Sequence, residues 1–137
     1  MADLRREIEN AFPLSPIPET PFPPGRVADD LAAHFSGASW RAIDAAVIRT
    51  QPRVLERLAP EAFRYYLAAY LMASIEDPVD DDILPSFVVS AVAARGPEAR
   101  KLTAAQRKVV ARFLATHVAD SDLRGGSLLA ALQHLSQ

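Results

Sequence analysis

The chain has 137 residues, half of them hydrophobic and 23% charged, with a net charge of −2; this is the composition of a globular domain and not of a disordered tail. With no cysteine, disulfide frameworks, thiolate nucleophiles and cysteine-ligated zinc are excluded. The slightly negative total favours neither nucleic acid nor an anionic membrane as a partner.

Leu4, Ile8, Ala11 and Phe12 recur at i, i+4, i+7 and i+8, which predicts an amphipathic first helix with Arg5, Arg6 and Glu9 outward, stopped by Pro13. The opening "MADLRREIEN" has neither the apolar core nor the small-residue cleavage site of a signal peptide, so a cytoplasmic location is expected. Residues 13–24, "PLSPIPETPFPP", hold six of the eleven prolines. Prolines lack a donor and push the preceding residue toward extended geometry, so this stretch predicts a stiff connector pinned by Ile17 and Phe22. Its P-x-x-P spacings would also suit a groove that reads polyproline helices.

A short helix is expected over 26–35, with Val27, Leu31 and Phe35 on one face and Gly37 ending it. "SWRAIDAAVIRT" predicts another, with Trp40, Ile43, Val47 and Ile48 inward, Ser39 as N-cap and Pro52 as breaker. "RVLERL" adds a turn or two before Pro60, which takes the first position of a long helix, where its missing N–H does no harm.

From Ala62 to Ala73 the only charge is Arg64, and apolar side chains occupy every side of the helical wheel. That pattern predicts a central, buried helix. Phe63, Tyr66, Leu67 and Tyr70 share one face and Tyr65 and Met72 another; three tyrosine hydroxyls must then reach the surface or find buried carbonyls. The uncharged run Tyr65 to Ile75 is 11 residues, against about 20 for a membrane-spanning helix, so no membrane partner is expected.

Directly after it, Glu76, Asp77, Asp80, Asp81 and Asp82 place five acids in seven positions. The glycine and ligand spacing of a calcium loop are missing. Asp80 to Asp82 precede a helix around Phe87, whose N-terminal partial charge favours them, whereas Glu76 and Asp77 end a helix, where anions are disfavoured. These five acids are the candidate partner contact.

Phe87 to Ala94 predicts an apolar helix opened by Pro85 and closed by Gly96-Pro97. Thr103 and Gln106 have capping-box spacing ahead of the stripe Val109, Val110, Phe113, Leu114 and His117. "DSDLRGG" reads as a loop, and "SLLAALQHL" as a last helix with Ser127 as its cap. No segment alternates with period two. The expected fold is all-α: a single domain over 1–137, a bundle of six or seven helices around residues 60–76, with the proline-rich connector at 13–24.

Chemistry is sparsely marked. His34, His117 and His134 sit on predicted helices, and none has a second histidine or a carboxylate at the close spacing of a common metal motif. The five glycines form neither G-x-G-x-x-G nor a phosphate loop, and G-x-S-x-G is absent. No catalytic residue, metal or cofactor is therefore assigned. Charge is uneven: Met1 to Ala94 carries 8 basic and 14 acidic residues, Arg95 to Gln137 carries 7 basic and 3 acidic. Arg95, Arg100, Lys101, Arg107, Lys108 and Arg112 could meet a phosphate backbone, although the negative total and the lack of interleaved aromatics weigh against nucleic acid.

Ser39-Trp40 followed by "LAPEAFRYYLAAYL", Leu58 to Leu71, resembles an uncharacterised bacterial family, a domain of unknown function whose members share a Trp and an "LSPEAFRYYLPAYL"-like segment. Similar stretches occur in proteins associated with bacterial toxin immunity. The likeness covers about residues 2 to 80. Ala59 stands where the family has Ser or Thr, removing a side-chain N-cap, and Ala68 where it often has Pro, which implies a straighter helix. The family brings no catalytic residue. The resemblance implies a non-enzymatic bacterial protein acting through a protein partner, in an immunity-like role; the alternatives are a small-ligand protein or enzyme with a pocket near Trp40 and the tyrosines, or nucleic-acid binding through the basic C-terminal third.

Overall fold

Pro60 opens a helix that runs unbroken to Glu76, and its neighbours are arranged on it. The computed structural model describes residues 3–14, 17–18, 35, 37–50, 52–76, 84–117, 131 and 133–135. In chain order they form α1 (Asp3–Ala11), a 3-10 turn (Trp40–Ala42), α2 (Ala45–Thr50), a second 3-10 segment (Pro52–Glu56), α3 (Pro60–Glu76), α4 (Leu84–Ala94), α5 (Gly96–Arg100) and α6 (Ala104–His117). Residues 133–135 are also helical. No strand occurs among the described residues, and the fold is all-α as expected.

The helix α3 is central because it has no polar face to turn outward. Ala62, Phe63 and every residue from Tyr66 to Ser74 are buried, and α1, α2, both 3-10 segments, α4 and α5 all touch it. Burying side chains such as Phe63, Leu67 and Leu71 contributes about 1.5–3 kcal/mol each. Ala68, in mid-helix, lets α3 continue without a break. Leu4 and Ile8 of α1 and Phe12 just beyond it are buried while Arg5, Arg6 and Glu9 are exposed, the division the spacing predicts.

One expectation is corrected. "SWRAIDAAVIRT" is not one helix: after the 3-10 turn Ile43 takes an extended backbone (φ −73°, ψ 127°), and α2 starts afresh at Ala45. The reason is Asp44, whose Oδ1 accepts from the Ala46 N–H at 2.9 Å. An aspartate side chain offers the backbone a competing local bond and favours a helix start over a helix interior. Ser39 precedes the 3-10 turn but makes no side-chain capping bond. Trp40 and Ile48 are buried all the same, with Ile43 and Val47 half-buried.

The helix α4 ends at Ala94, the bound its sequence predicts, and Gly96-Pro97 beyond it also opens a helix that the sequence does not predict, α5, with proline in its first turn. Arg95, at φ −112° and ψ 47°, makes the corner between the two helices. The helix α4 itself begins at Leu84, three residues before Phe87, with Pro85 in its first turn, where a missing N–H is tolerated. Gly96 is buried, and a Cβ there would lie 2.5 Å from Cε1 of His134, so glycine is what lets the 131–135 segment approach.

The capping box at the start of α6 forms as its spacing predicts. The Thr103 N–H donates to Gln106 Oε1 at 3.0 Å and the Gln106 N–H donates to Thr103 Oγ1 at 3.1 Å. Gln106 Nε2 also donates to the Ala11 carbonyl at 3.0 Å, tying α6 to the end of α1. Gly37 has φ +73° beyond Phe35, the left-handed conformation expected of a residue ending a helix. Val27, Leu31, Phe22, "DSDLRGG" and Ser127 lie outside the described residues.

Candidate functional site

Tyr65 and Tyr66 hold the chain on either side of Trp40 against α3. The Tyr65 hydroxyl donates to the Leu14 carbonyl at 2.6 Å and accepts from the Trp40 N–H at 3.1 Å, while Trp40 Nε1 donates to the Phe12 carbonyl at 3.0 Å. Tyr66 Oη lies 2.6 Å from both the Phe35 and the Ala38 carbonyls, so its one proton is shared between two acceptors. The rings of Tyr65 and Phe35 meet Tyr66 edge-on at 4.7 and 5.1 Å. Tyr70 differs: it is fully buried and its hydroxyl has no hydrogen-bond partner among the described residues. Burial pushes the Tyr66 phenol up to about 12, with the Tyr65 neighbour adding to the shift. Burial raises Tyr65 as well, against the Trp40 hydrogen bond, and raises Tyr70 further. The tyrosines therefore serve as clasps and core; they are not poised to exchange protons near neutrality.

Trp40 does border a pocket, of about 220 Å³, lined also by Arg41, Ile43, Ala45, Ala69, Met72 and Ala73. No tyrosine lines this pocket, although Ala69, Met72 and Ala73 come from the same helix as those rings. Arg41 stands 5.9 Å from the Trp40 ring centroid and pairs with Glu9 at 2.9 Å, so α1 borders this region through an ion pair.

Of the candidate contact residues, Glu76 is the last residue of α3, and Asp77, Asp80, Asp81 and Asp82 lie outside the described residues. The described chain resumes at Leu84, which is buried, two positions beyond Asp82. The last turn of α3 contains no basic residue. A cation comes instead from α2: Arg49 Nη2 donates to the Ala73 carbonyl at 2.9 Å. Helix C-termini leave carbonyls without intrahelical partners and carry partial negative charge, and a guanidinium answers both. Sequence reading missed this role, for which the only local signal was a lone arginine closing the short apolar run "AAVIRT".

Of the six basic residues singled out in the C-terminal third, Arg100, Lys101, Lys108 and Arg112 are exposed, and Arg95 and Arg107 are half-buried. Arg95 Nη1 donates to the Leu58 carbonyl at 2.6 Å and the Leu55 carbonyl at 3.3 Å, and its guanidinium stands 4.6 Å over the Phe63 ring. Burial lowers the pKa of this group, with Glu98 opposing the shift. Arg107 donates to the Arg100 and Leu102 carbonyls, Arg100 contacts Nδ1 of His134 at 2.8 Å, Lys101 lies 4.0 Å from Glu98, and Arg112 pairs with Glu7. Five of the six thus meet this chain's own groups; among the described residues Lys108 makes no such contact.

His34 and the side chain of His117 lie outside what is described, and His134 rests on Gly96. Among the described residues no three His, Asp or Glu side chains gather as metal ligands, and no helix is long and apolar enough to cross a membrane. Compared with protein-family models, curated proteins and solved structures, the chain matches none. The resemblance of Trp40 and Leu58 to Leu71 accordingly rests on those residues alone.

Proposed function

We propose that this chain is a non-enzymatic bacterial protein that binds a basic protein partner through Glu76, Asp77, Asp80, Asp81 and Asp82, in an immunity-like role. The observation that carries this reading is the anchoring of the acidic segment at both ends. It leaves the C-terminus of the most deeply buried helix, held there by Arg49, and meets the buried Leu84 at the start of α4. Five acids tethered between fixed points concentrate a negative potential that steers a basic surface and sets its orientation. The likeness of Leu58 to Leu71 to stretches from toxin-immunity proteins supports the same direction.

The test is affinity capture from the source bacterium with the intact chain as bait, run beside the triple substitution D80N/D81N/D82N. A basic protein that the wild type retains and the folded triple variant loses supports the reading. Capture of nothing by the wild type, or equal capture by both, refutes it.

A further inference from the structure

We propose that the cleft between α1 and α6 is a binding site for a small monocarboxylate with an apolar body. The cleft, about 320 Å³, has Ala11, Ala105 and Val109 as its apolar lining and Glu7, Asn10, Lys108 and Arg112 as its polar lining. Alanines on both helices are what leave the space open. Glu7 and Arg112 pair across the cleft and neutralise each other. Lys108, one turn before Arg112 on α6, is exposed, and neither its ammonium nor the Asn10 amide has a polar partner among the described residues. One unneutralised cation and one amide donor therefore stand over an apolar floor.

That chemistry selects its ligand. An ammonium and an amide N–H₂ supply donors for the two oxygens of one carboxylate. A second negative charge on the ligand would meet Glu7. The volume sits at the small end of ligand sites, enough for a body of about six to ten carbons. Such a body removes Ala11 and Ala105 from water against the buried Val109, and each methylene it buries should tighten binding about three- to fourfold. The site stands on α1 and α6 and is independent of the acidic segment and its proposed partner.

Octanoate, octan-1-ol and octylamine are suitable probes, titrated into the intact isotope-labelled chain while amide shifts are followed by NMR. Octanoate should move the amides of residues 7–11 and 105–112 saturably, and hexanoate should do so about tenfold more weakly. Lys108→Met should weaken octanoate about tenfold while leaving octan-1-ol unchanged. Ala105→Leu, an exposed helical position that tolerates leucine, should fill the floor and abolish both. Absence of saturable shifts at these amides, octan-1-ol or octylamine binding as tightly as octanoate, or an unchanged octanoate affinity in Lys108→Met would each overturn the proposal.

Discussion

Arg49 on α2 and Ala73 on α3 are joined by a 2.9 Å hydrogen bond from guanidinium to carbonyl, so the central helix is capped by a cation from another element. A hydrogen bond from a charged donor in a partly buried place is worth about 1.5–3 kcal/mol. Arg49→Met, which keeps the stem and removes the donors, should lower stability to urea by that amount. A change below about 0.5 kcal/mol would show that the end of α3 needs no such cap.

Tyr66 and Tyr70, one turn apart on α3, should respond in opposite ways to losing a hydroxyl. Tyr66→Phe removes the donor that the Phe35 and Ala38 carbonyls share, leaving the Phe35 carbonyl the Ala38 N–H at 3.1 Å, and should cost about 1–3 kcal/mol. Tyr70→Phe removes a buried hydroxyl that has no partner among the described residues, and should leave stability unchanged or raise it by up to about 1 kcal/mol. Paired urea or thermal melts of the two variants decide the matter; the reverse ranking would contradict the hydrogen-bond assignment.

The raised tyrosines also fix the alkaline limit of the fold. A free phenol ionises near pH 10, about the unfolded value, whereas Tyr66 is pushed up to about 12 and Tyr65 and Tyr70 are raised with it. A group whose folded pKa exceeds its unfolded one contributes fully below the unfolded value and loses that contribution as pH rises through the folded one. Stability should therefore be level up to about pH 10 and fall from there toward about 12. Phenolate absorbance and helical circular dichroism followed together should show tyrosine ionisation arriving with loss of helix. Full titration near pH 10 with the helices intact would refute the burial of these hydroxyls.

Gly96→Ala offers a test by sign. At a helix start without positive φ, alanine ordinarily stabilises by restricting the unfolded chain. Here its Cβ would meet the His134 ring at 2.5 Å, so the ring must move and its 2.8 Å contact with Arg100 is put at risk. The expected outcome is a loss of about 1–3 kcal/mol with faster hydrogen exchange at residues 133–135. A stabilised variant with unchanged exchange would mean that the C-terminal segment is not seated on Gly96.

Much of the fold is legible in the sequence because it follows from local pattern. The all-apolar wheel of Ala62 to Ala73, the Leu4–Ile8–Phe12 stripe and the Thr103–Gln106 spacing each determine burial or capping within a few residues, and each is realised. The failures lie where two local signals compete. Asp44 could sit mid-helix or cap a new one, and the tertiary fit of Trp40 against Tyr65 and Phe12 accompanies the break. Gly96-Pro97 carries both a stop and a start signal, and both act, so that a short helix follows where the sequence predicts only an end. The site is less legible still, because Arg49, Arg95 and Gln106 act on carbonyls far away in sequence, and the Lys108 cleft exists only where α1 and α6 meet.

If the acids following α3 steer a basic partner, as proposed, the rate of association must register it. With the captured partner in hand, stopped-flow mixing at low and high salt compares the wild type with D80N/D81N/D82N. The variant should associate about tenfold more slowly at low salt, with a flatter salt dependence and a melting midpoint unchanged from wild type. Equal rates at low salt, or a variant whose weaker binding tracks a loss of folding, would contradict it.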